Sequence, residues 1–574
     1  MRLNSKATYS LHIVIFLLIT FFLTAGRVGT SFHNFALLTP DLGVYASFAV
    51  AQEHPELFVN DPLLSRPENI NDYDLLYFPL VKALKSLLGN YGTASIALLP
   101  LCIFLHLLGF YLLGLAAFKS PWAALLISFL LSAPVILQSL PGYWGLTLDP
   151  MPRFMYQSLL PFVLAFVLHF GREMKWWPIC MALLGLLTYV HPIGTPVWGL
   201  AVPLGLWISA REQKFWVKLR MLALAIFIFL IILAPFLFTY FAGTKLGANT
   251  GADYEQVMNI VRERFSQGAL RPEIGLLNFF FKEGVEGAMG PLWYVFWLGG
   301  LAGLAIGLLR HPGDSACYVF RSLAGWIGGV LIGAAIIPLI EKKVFAYLRI
   351  FPPELELTRN LRYLVPLLLF TLCYALWAFR EPLERFLLRG SALSPIWLKA
   401  LASFLFLFWI GVGTMQKQEF VATLRQNLNC WLQIRLICPL PLEQTDFIRV
   451  LDVLQSRTPP GARVFSEEQE VAIRYYALRP LVFSYKDGSP LAYTDHVGLL
   501  SWNAQYAQMT ELGRMRRFPF RRRGYLKGLV EFAQNAGAEY VILHEPYDPE
   551  NYYPPKLTLL YTNSFYSLYT LSPP

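Results

Sequence analysis

Runs of apolar residues about as long as a bilayer is thick recur along this chain, and nothing constrains its fold more. The stretch LRMLALAIFIFLIILAPFLFTYFA, residues 219–242, carries a single charge at Arg220. A helix rises about 1.5 Å per residue, so roughly 20 such residues cross about 30 Å of hydrocarbon. Only a helix or a closed barrel satisfies its own backbone there. About eleven runs of this kind can be read: 11–25, 93–117, 121–140, 154–170, 176–190, 193–209, 219–242, 291–309, 322–340, 361–379 and 395–413. With 56% hydrophobic and only 15% charged residues, the chain is too apolar for a soluble protein of 574 residues, so the runs read as spans. The first is short, but TAGRVG offers no small-x-small cleavage site, and it is kept as a span.

Lys and Arg in the short connections set the orientation. Arg2 and Lys6, Lys119, Arg172 and Lys175, the group Arg211 to Arg220, Arg310, and Arg380, Arg385 and Arg389 fall on one side in strict alternation. That side is expected to be cytoplasmic, with the N-terminus. The other side receives the loop 26–92, the GYWGLTLDPMPR connection, the turn at His191 and Pro192, the loops 243–290 and 341–360, and the tail after 413. The net charge of +10 is partly this topology device and does not call for a nucleic acid partner. The basic run at Arg514, Arg516, Arg517, Arg521, Arg522, Arg523 and Lys527 reads as a solvated face, or as a contact for anionic headgroups or a carrier pyrophosphate.

Residues 1–413 therefore form the transmembrane domain, 414–440 a linker, and 441–574 an extracytoplasmic α/β domain. In the last part ARVFS reads as a strand, EQEVAIRYYA as a helix, PLVFSYK as a strand, HVGLLSWNAQYAQMTEL and YLKGLVEFAQNAG as helices, AEYVILHE as a strand and KLTLLYTNSFYSLYTL as a hairpin. Such alternation suggests a small sheet covered by helices. No Gly-rich phosphate loop follows any of its strands, so it reads as a binding or capping module. Cys430 and Cys438 fall outside, where they either form a local disulfide or pack as thiols. The other four cysteines lie in or beside spans.

The first outer loop gathers carboxylates. Thr39, Pro40 and Asp41 read as cap, first position and dipole partner of a helix, and Leu42, Tyr45, Ala46, Ala49 and Val50 as its one apolar face, laid along the membrane surface. Helix-start chemistry does not account for the company of Glu53, Glu56, Asp61, Asp72 and Asp74. A second amphipathic segment, LLYFPLVKALKSLLG, leads back to the membrane. General bases for an extracytoplasmic reaction would sit at this interface.

A cytoplasmic N-terminus, one span, a long outer loop of two interfacial helices with Asp41 just after that span, many further spans and an outer C-terminal domain together resemble the GT-C superfamily of polytopic glycosyltransferases. The resemblance implies a membrane enzyme that takes a sugar from a polyprenyl-phosphate donor, with inversion, using Asp41 as base and Asp61 as the next candidate. It leaves the acceptor open between glycan, lipid and protein. The adjacent acidic pair of the protein mannosyltransferase branch is absent, since Leu42 follows Asp41, and so is the WWDYG motif of oligosaccharyltransferases. Asp72 and Asp74 in DYD have the D-x-D form that some relatives use for a divalent metal. A bacterial inner membrane suits such an enzyme.

The chemistry also needs cations beside the departing phosphate. Arg153 opens a span on the outer side, and Arg359 and Arg362 stand one turn apart in LTRNLRYLVP. His191 marks an outer turn between apolar spans. The bland alternatives are snorkelling anchors and a turn histidine satisfied locally. A transporter or a non-catalytic membrane scaffold remains the other reading of such a chain, although paired broken helices are not evident in matching halves.

Overall fold

The computed structural model describes residues 5–571, apart from 34–37, 72–75, 138–141, 211–212, 244–252, 265–269, 288, 311–313, 350, 352–355, most of 382–439, 469–470, 517–521 and 545–556. The expected run 395–413, Asp72, Asp74 and Cys438 lie outside the described residues. Cys430 is disulfide-bonded, and Cys102, Cys180, Cys317 and Cys373 are free.

Every other expected span contains a helix. Seven of the described helices are long and apolar enough to cross a bilayer, including α1 (Ser5–His33), Tyr91–Phe118, Pro152–Phe170 and the continuous Asp314–Leu348. The chain is thus a polytopic helical membrane protein. One span is shorter than expected: the helix from Pro121 stops at Ser132. Pro134 has no N–H to continue it and holds Ala133 extended, with ψ at 131°. The chain then turns through a small hairpin of β1 (Val135–Leu137) and β2 (Gly142–Trp144).

Small residues set the tightest helix contact. A Cβ on Gly325 would lie 2.3 Å from the backbone of Gly205, and one on Gly329 would lie 2.2 Å from that of Ala201. The four-residue spacing lets the helices Asp314–Leu331 and Thr195–Ser209 meet backbone to backbone.

Several connections expected on one side of the membrane meet in the structure. At one end Arg27 pairs with Asp149 at 2.9 Å, Leu76 N–H donates to Tyr189 O, Asn360 Nδ2 donates to Ile193 O, and Arg264 Nη2 donates to Tyr485 O. These bonds join the loop 26–92, the hairpin connection, the His191 turn, the loops 243–290 and 341–360, and the tail. At the other end Arg172 donates to Ser315 Oγ at 2.8 Å and lies over the Tyr318 ring. We call the first end outer.

The C-terminal unit carries a four-stranded sheet in the order β3-β4-β6-β5, with β3 (Val464–Ser466) parallel to β4 (Tyr540–Leu543), and β5 (Leu557–Thr562) and β6 (Ser567–Leu571) antiparallel. Helices Leu442–Arg457, His496–Arg516 and Arg522–Asn535 accompany it. PLVFSYK departs from the expected strand. Leu481 makes one parallel bridge with Val464, its N–H goes to the carboxylate of Asp61, and the chain turns at Ser484. Val482 N–H still donates to Val464 O, while the Leu481 N–H, on the side away from β3, is taken by Asp61 in place of a further strand.

Helix α2 (Pro40–Glu53) also departs from expectation. A helix on a membrane surface would leave one face wet, but Leu42, Val44, Ala46, Phe48, Ala49, Val50 and Ala51 are all buried. The helix lies between Tyr91–Phe118, Tyr77–Leu88 and the C-terminal unit. Leu38 N–H donates to Tyr475 Oη, and Thr39 precedes the helix without capping it by its side chain. The outer unit is therefore built onto the first outer loop.

Candidate active site

Asp41 stands in the first turn of α2, where the helix dipole favours a carboxylate. Lys486 Nζ donates to its Oδ1 at 2.6 Å, and Arg153 Nη2 to its Oδ2 at 3.3 Å. The carboxylate remains nearly half exposed. Burial alone would raise its pKa, but the bond and charge of Lys486, with the charges of Arg153 and Arg359, hold it below the ordinary value. Tyr45, one turn further along α2, is pushed up to about 12, chiefly by burial.

Arg153 reaches Asp41 from the start of the helix Pro152–Phe170, its guanidinium 5.2 Å from the Tyr143 ring on β2. Arg359 and Arg362 lie in a 3₁₀ segment, Leu357–Tyr363, where residues three apart eclipse and so share a side. Arg359 pairs with Glu356 at 2.5 and 2.6 Å. Arg362 is 4% exposed, has no carboxylate partner among the described residues, and leaves Nε without a hydrogen bond. A buried guanidinium left in that state is the kind of group an anion completes.

His191 closes the floor of this group. Burial, then the charges of Arg362 and Arg153, press its pKa well below the ordinary value, so it is neutral at pH 7. The turn that holds it is fixed by Asn360 on Ile193 O at 3.0 Å. Gly194 is required there, because a Cβ would lie 2.7 Å from Tyr363 Oη and 2.9 Å from the Tyr156 ring. Beneath, Trp144, Trp198, Trp326, Leu160 and Phe370 line an apolar cavity of about 20 Å³, room for little more than one water.

The structure thus brings Asp41, Arg153, His191, Arg359 and Arg362 together at the outer end. It does not bring Asp61 with them, and the expectation of a second base there is corrected. Asp61 is 1% exposed and accepts from Leu63 N–H, Leu64 N–H, Leu481 N–H and twice from Arg474. No lone pair is left for an acceptor proton, and none could reach it.

Sequence reasoning missed Lys486, Glu356, Tyr45 and Tyr143. Glu356 three residues before Arg359 is a charge spacing that could have been noticed. Lys486 gave no such signal, since it is 445 residues from Asp41. In the outer unit Glu443, Glu468 and His544 place one ligand atom each within 4.8 Å of one another, while Arg516 also pairs with Glu468 at 2.7 Å. Of the basic run, Arg514, Arg516 and Lys527 pair with Glu511, Glu468 and Glu531. Those charges are partly neutralised on their own surface.

Membrane helices, an outer carboxylate among cations and an α/β unit closing over it define the class: a polytopic membrane protein with a charged site at its outer end. The chain is similar to the oligosaccharyltransferase of Archaeoglobus fulgidus, solved in complex with Zn and sulfate, at 13% identity over 93% of this chain and 68% of that one, with a TM-score of 0.47. It is also similar to ArnT from Cupriavidus metallidurans, solved bound to undecaprenyl phosphate, at 14% identity over 99% and 98% of the two chains, with a TM-score of 0.40. No protein-family profile and no curated protein matches the sequence.

Proposed function

We propose that the protein is an inverting membrane glycosyltransferase that moves a sugar from a polyprenyl-phosphate donor to an extracytoplasmic acceptor. The observation that carries this reading is a half-exposed carboxylate, Asp41, set among Lys486, Arg153 and Arg359, with Arg362 behind them, buried and without a carboxylate partner among the described residues. Among the described residues four cations face two carboxylates, Asp41 and Glu356, a net positive balance suited to a phosphate.

In this reading the acceptor hydroxyl attacks the anomeric carbon on the face opposite the phosphate. Its proton passes to Asp41, the carbon–oxygen bond to the phosphate breaks, and polyprenyl phosphate leaves with the electron pair. Arg362 and Arg359 hold the charge that develops on the leaving oxygen, and Arg153 spans base and phosphate. One displacement inverts the anomeric configuration. Neutral His191 offers a hydrogen bond without adding a charge. Asp72 and Asp74 remain candidates for a divalent metal, and sugar and acceptor identity stay open.

The test is turnover of a radiolabelled polyprenyl-phosphate-linked sugar by purified protein in detergent or nanodiscs. Loss of label from the lipid, dependent on protein and acceptor, is the expected result. An intact donor across a panel of sugars and acceptors would point to a transporter or scaffold.

A further inference from the structure

Among the described residues Lys486 is the one cation at the site that comes from the C-terminal unit, and its segment is held on both flanks. Its neighbour Asp487 accepts from Arg474 Nη1 at 2.6 Å and Nη2 at 2.8 Å, and Arg474 grips Asp61 with Nε and Nη2, both at 2.8 Å. All three side chains are at most 1% exposed. On the other flank Trp502 Nε1 donates to Ser484 O, Arg264 Nη2 donates to Tyr485 O, and Arg264 stacks 4.5 Å from the Trp502 ring. A Cβ on Gly488 would lie 2.5 Å from that same ring. The backbone from 484 to 488 is therefore fixed, while the Lys486 side chain itself stays 38% exposed.

A fixed backbone under a free lysine is the arrangement of an arm with two stations. One station is Asp41 Oδ1, where the ammonium now sits. Asp41 keeps lone pairs open to an acceptor hydroxyl, but while the ammonium sits on Oδ1 it holds the carboxylate in its charged form and makes it a weaker base. The other station is the anion space among Arg153, Arg359 and Arg362. We infer that Lys486 leaves Asp41 for the donor's phosphate when the donor binds, so that the C-terminal unit both holds the leaving group and releases the base. This rests on the glycosyltransferase reading for the identity of the anion. An enzyme built so keeps its base weakened by a neighbouring ammonium until a donor is present. Besides Lys486, the charged and titratable groups around Asp41 among the described residues include Arg153, Arg359, Tyr45, Tyr143 and Glu356.

The experiment is a binding cycle that needs no turnover, with undecaprenyl phosphate titrated onto the full-length protein in nanodiscs. Lys486→Gln should weaken binding at least about tenfold, the scale of a lost charge-assisted bond. Asp41→Asn frees the ammonium in advance and should tighten binding about two- to fivefold. The decisive arm is Asp41→Asn in the Lys486→Gln background, where that gain should vanish. If Asp41 acted only by repelling the phosphate, the gain would persist there, and the proposal would be overturned. It would equally be overturned by unchanged binding in Lys486→Gln, or by the same coupling read with inorganic phosphate but not with the lipid. Lys486→Arg should recover part of the affinity and separate lost charge from misfolding. Coupling without turnover of any donor would sink the functional reading and leave the two-station lysine standing.

Discussion

Removing Arg474 should unseat the outer unit. Arg474→Met keeps the apolar stem and deletes a guanidinium that makes four charge-assisted bonds of 2.6–2.8 Å to Asp61 and Asp487. Both carboxylates then lie buried without an ion pair among the described residues, with only the more distant charge of Arg264 acting on Asp487. Breaking a single buried pair costs about 3–5 kcal/mol because the remaining charge is stranded, and here two are stranded at once. A loss of at least about 3 kcal/mol lowers the melting temperature of a unit this size by on the order of 10 °C. The pH dependence carries the sharper signature. In the variant the stranded carboxylates are raised above their unfolded pKa of about 3.9, so the folded state binds more protons than the unfolded one. Stability must then fall as pH rises above the unfolded carboxylate range and recover as pH is lowered back toward it. In the wild type Asp487 is already raised, by burial first and by the Asp61 charge, with Arg474 opposing. Its slope has the same sign and should be shallower. The assay is thermal melting of purified protein at several pH values. Melting within about 2 °C of wild type, with an unchanged pH slope, would refute the buried-cluster argument.

Two further outcomes follow from the site. Arg362→Lys keeps the charge but loses the planar fork, so binding of a polyprenyl-phosphate analogue should fall by about 1.5–3 kcal/mol, measured by titration; a simple interfacial anchor would tolerate the change. Single cysteines near Glu53 and in the tail after 440 should label from the same, extracytoplasmic side of intact cells, and labelling from opposite sides would contradict the orientation.

The membrane part was legible because burial in lipid imposes one rule on every span, and that rule is written locally as an apolar run. The end of the Tyr77–Leu88 helix was legible at Gly89, with φ of 87°, whereas the end that Pro134 imposes after Ser132 was hidden inside a continuous apolar run. The expected strand PLVFSYK shrinks to one bridge, with the Leu481 N–H bound to a carboxylate 420 residues away and a turn following at Ser484, and neither is written in the local pattern. The site divides the same way. Arg153, Arg359, Arg362 and Asp41 stand at helix starts on one side of the membrane, and topology alone gathers them. Lys486 and the structural role of Asp61 depend on how the C-terminal unit lands on the first outer loop, a contact that leaves no periodic trace. The small-residue seam at Gly325 and Gly329 was in plain sight as spacing, but apolar runs alone do not say which face meets which helix.

The central claim is that Asp41 is the base of a sugar transfer, and one measurement reaches it directly: the rate at which purified protein moves label from a polyprenyl-phosphate-linked sugar, compared between wild type and Asp41→Asn. Asparagine keeps the size and much of the helix-start preference but cannot take the proton. The account predicts a fall of at least about 100-fold in turnover, with donor binding retained or tightened and the melting temperature within a few degrees of wild type. Turnover by Asp41→Asn at the wild-type rate would return Asp41 to the role of a helix-start residue and contradict the account.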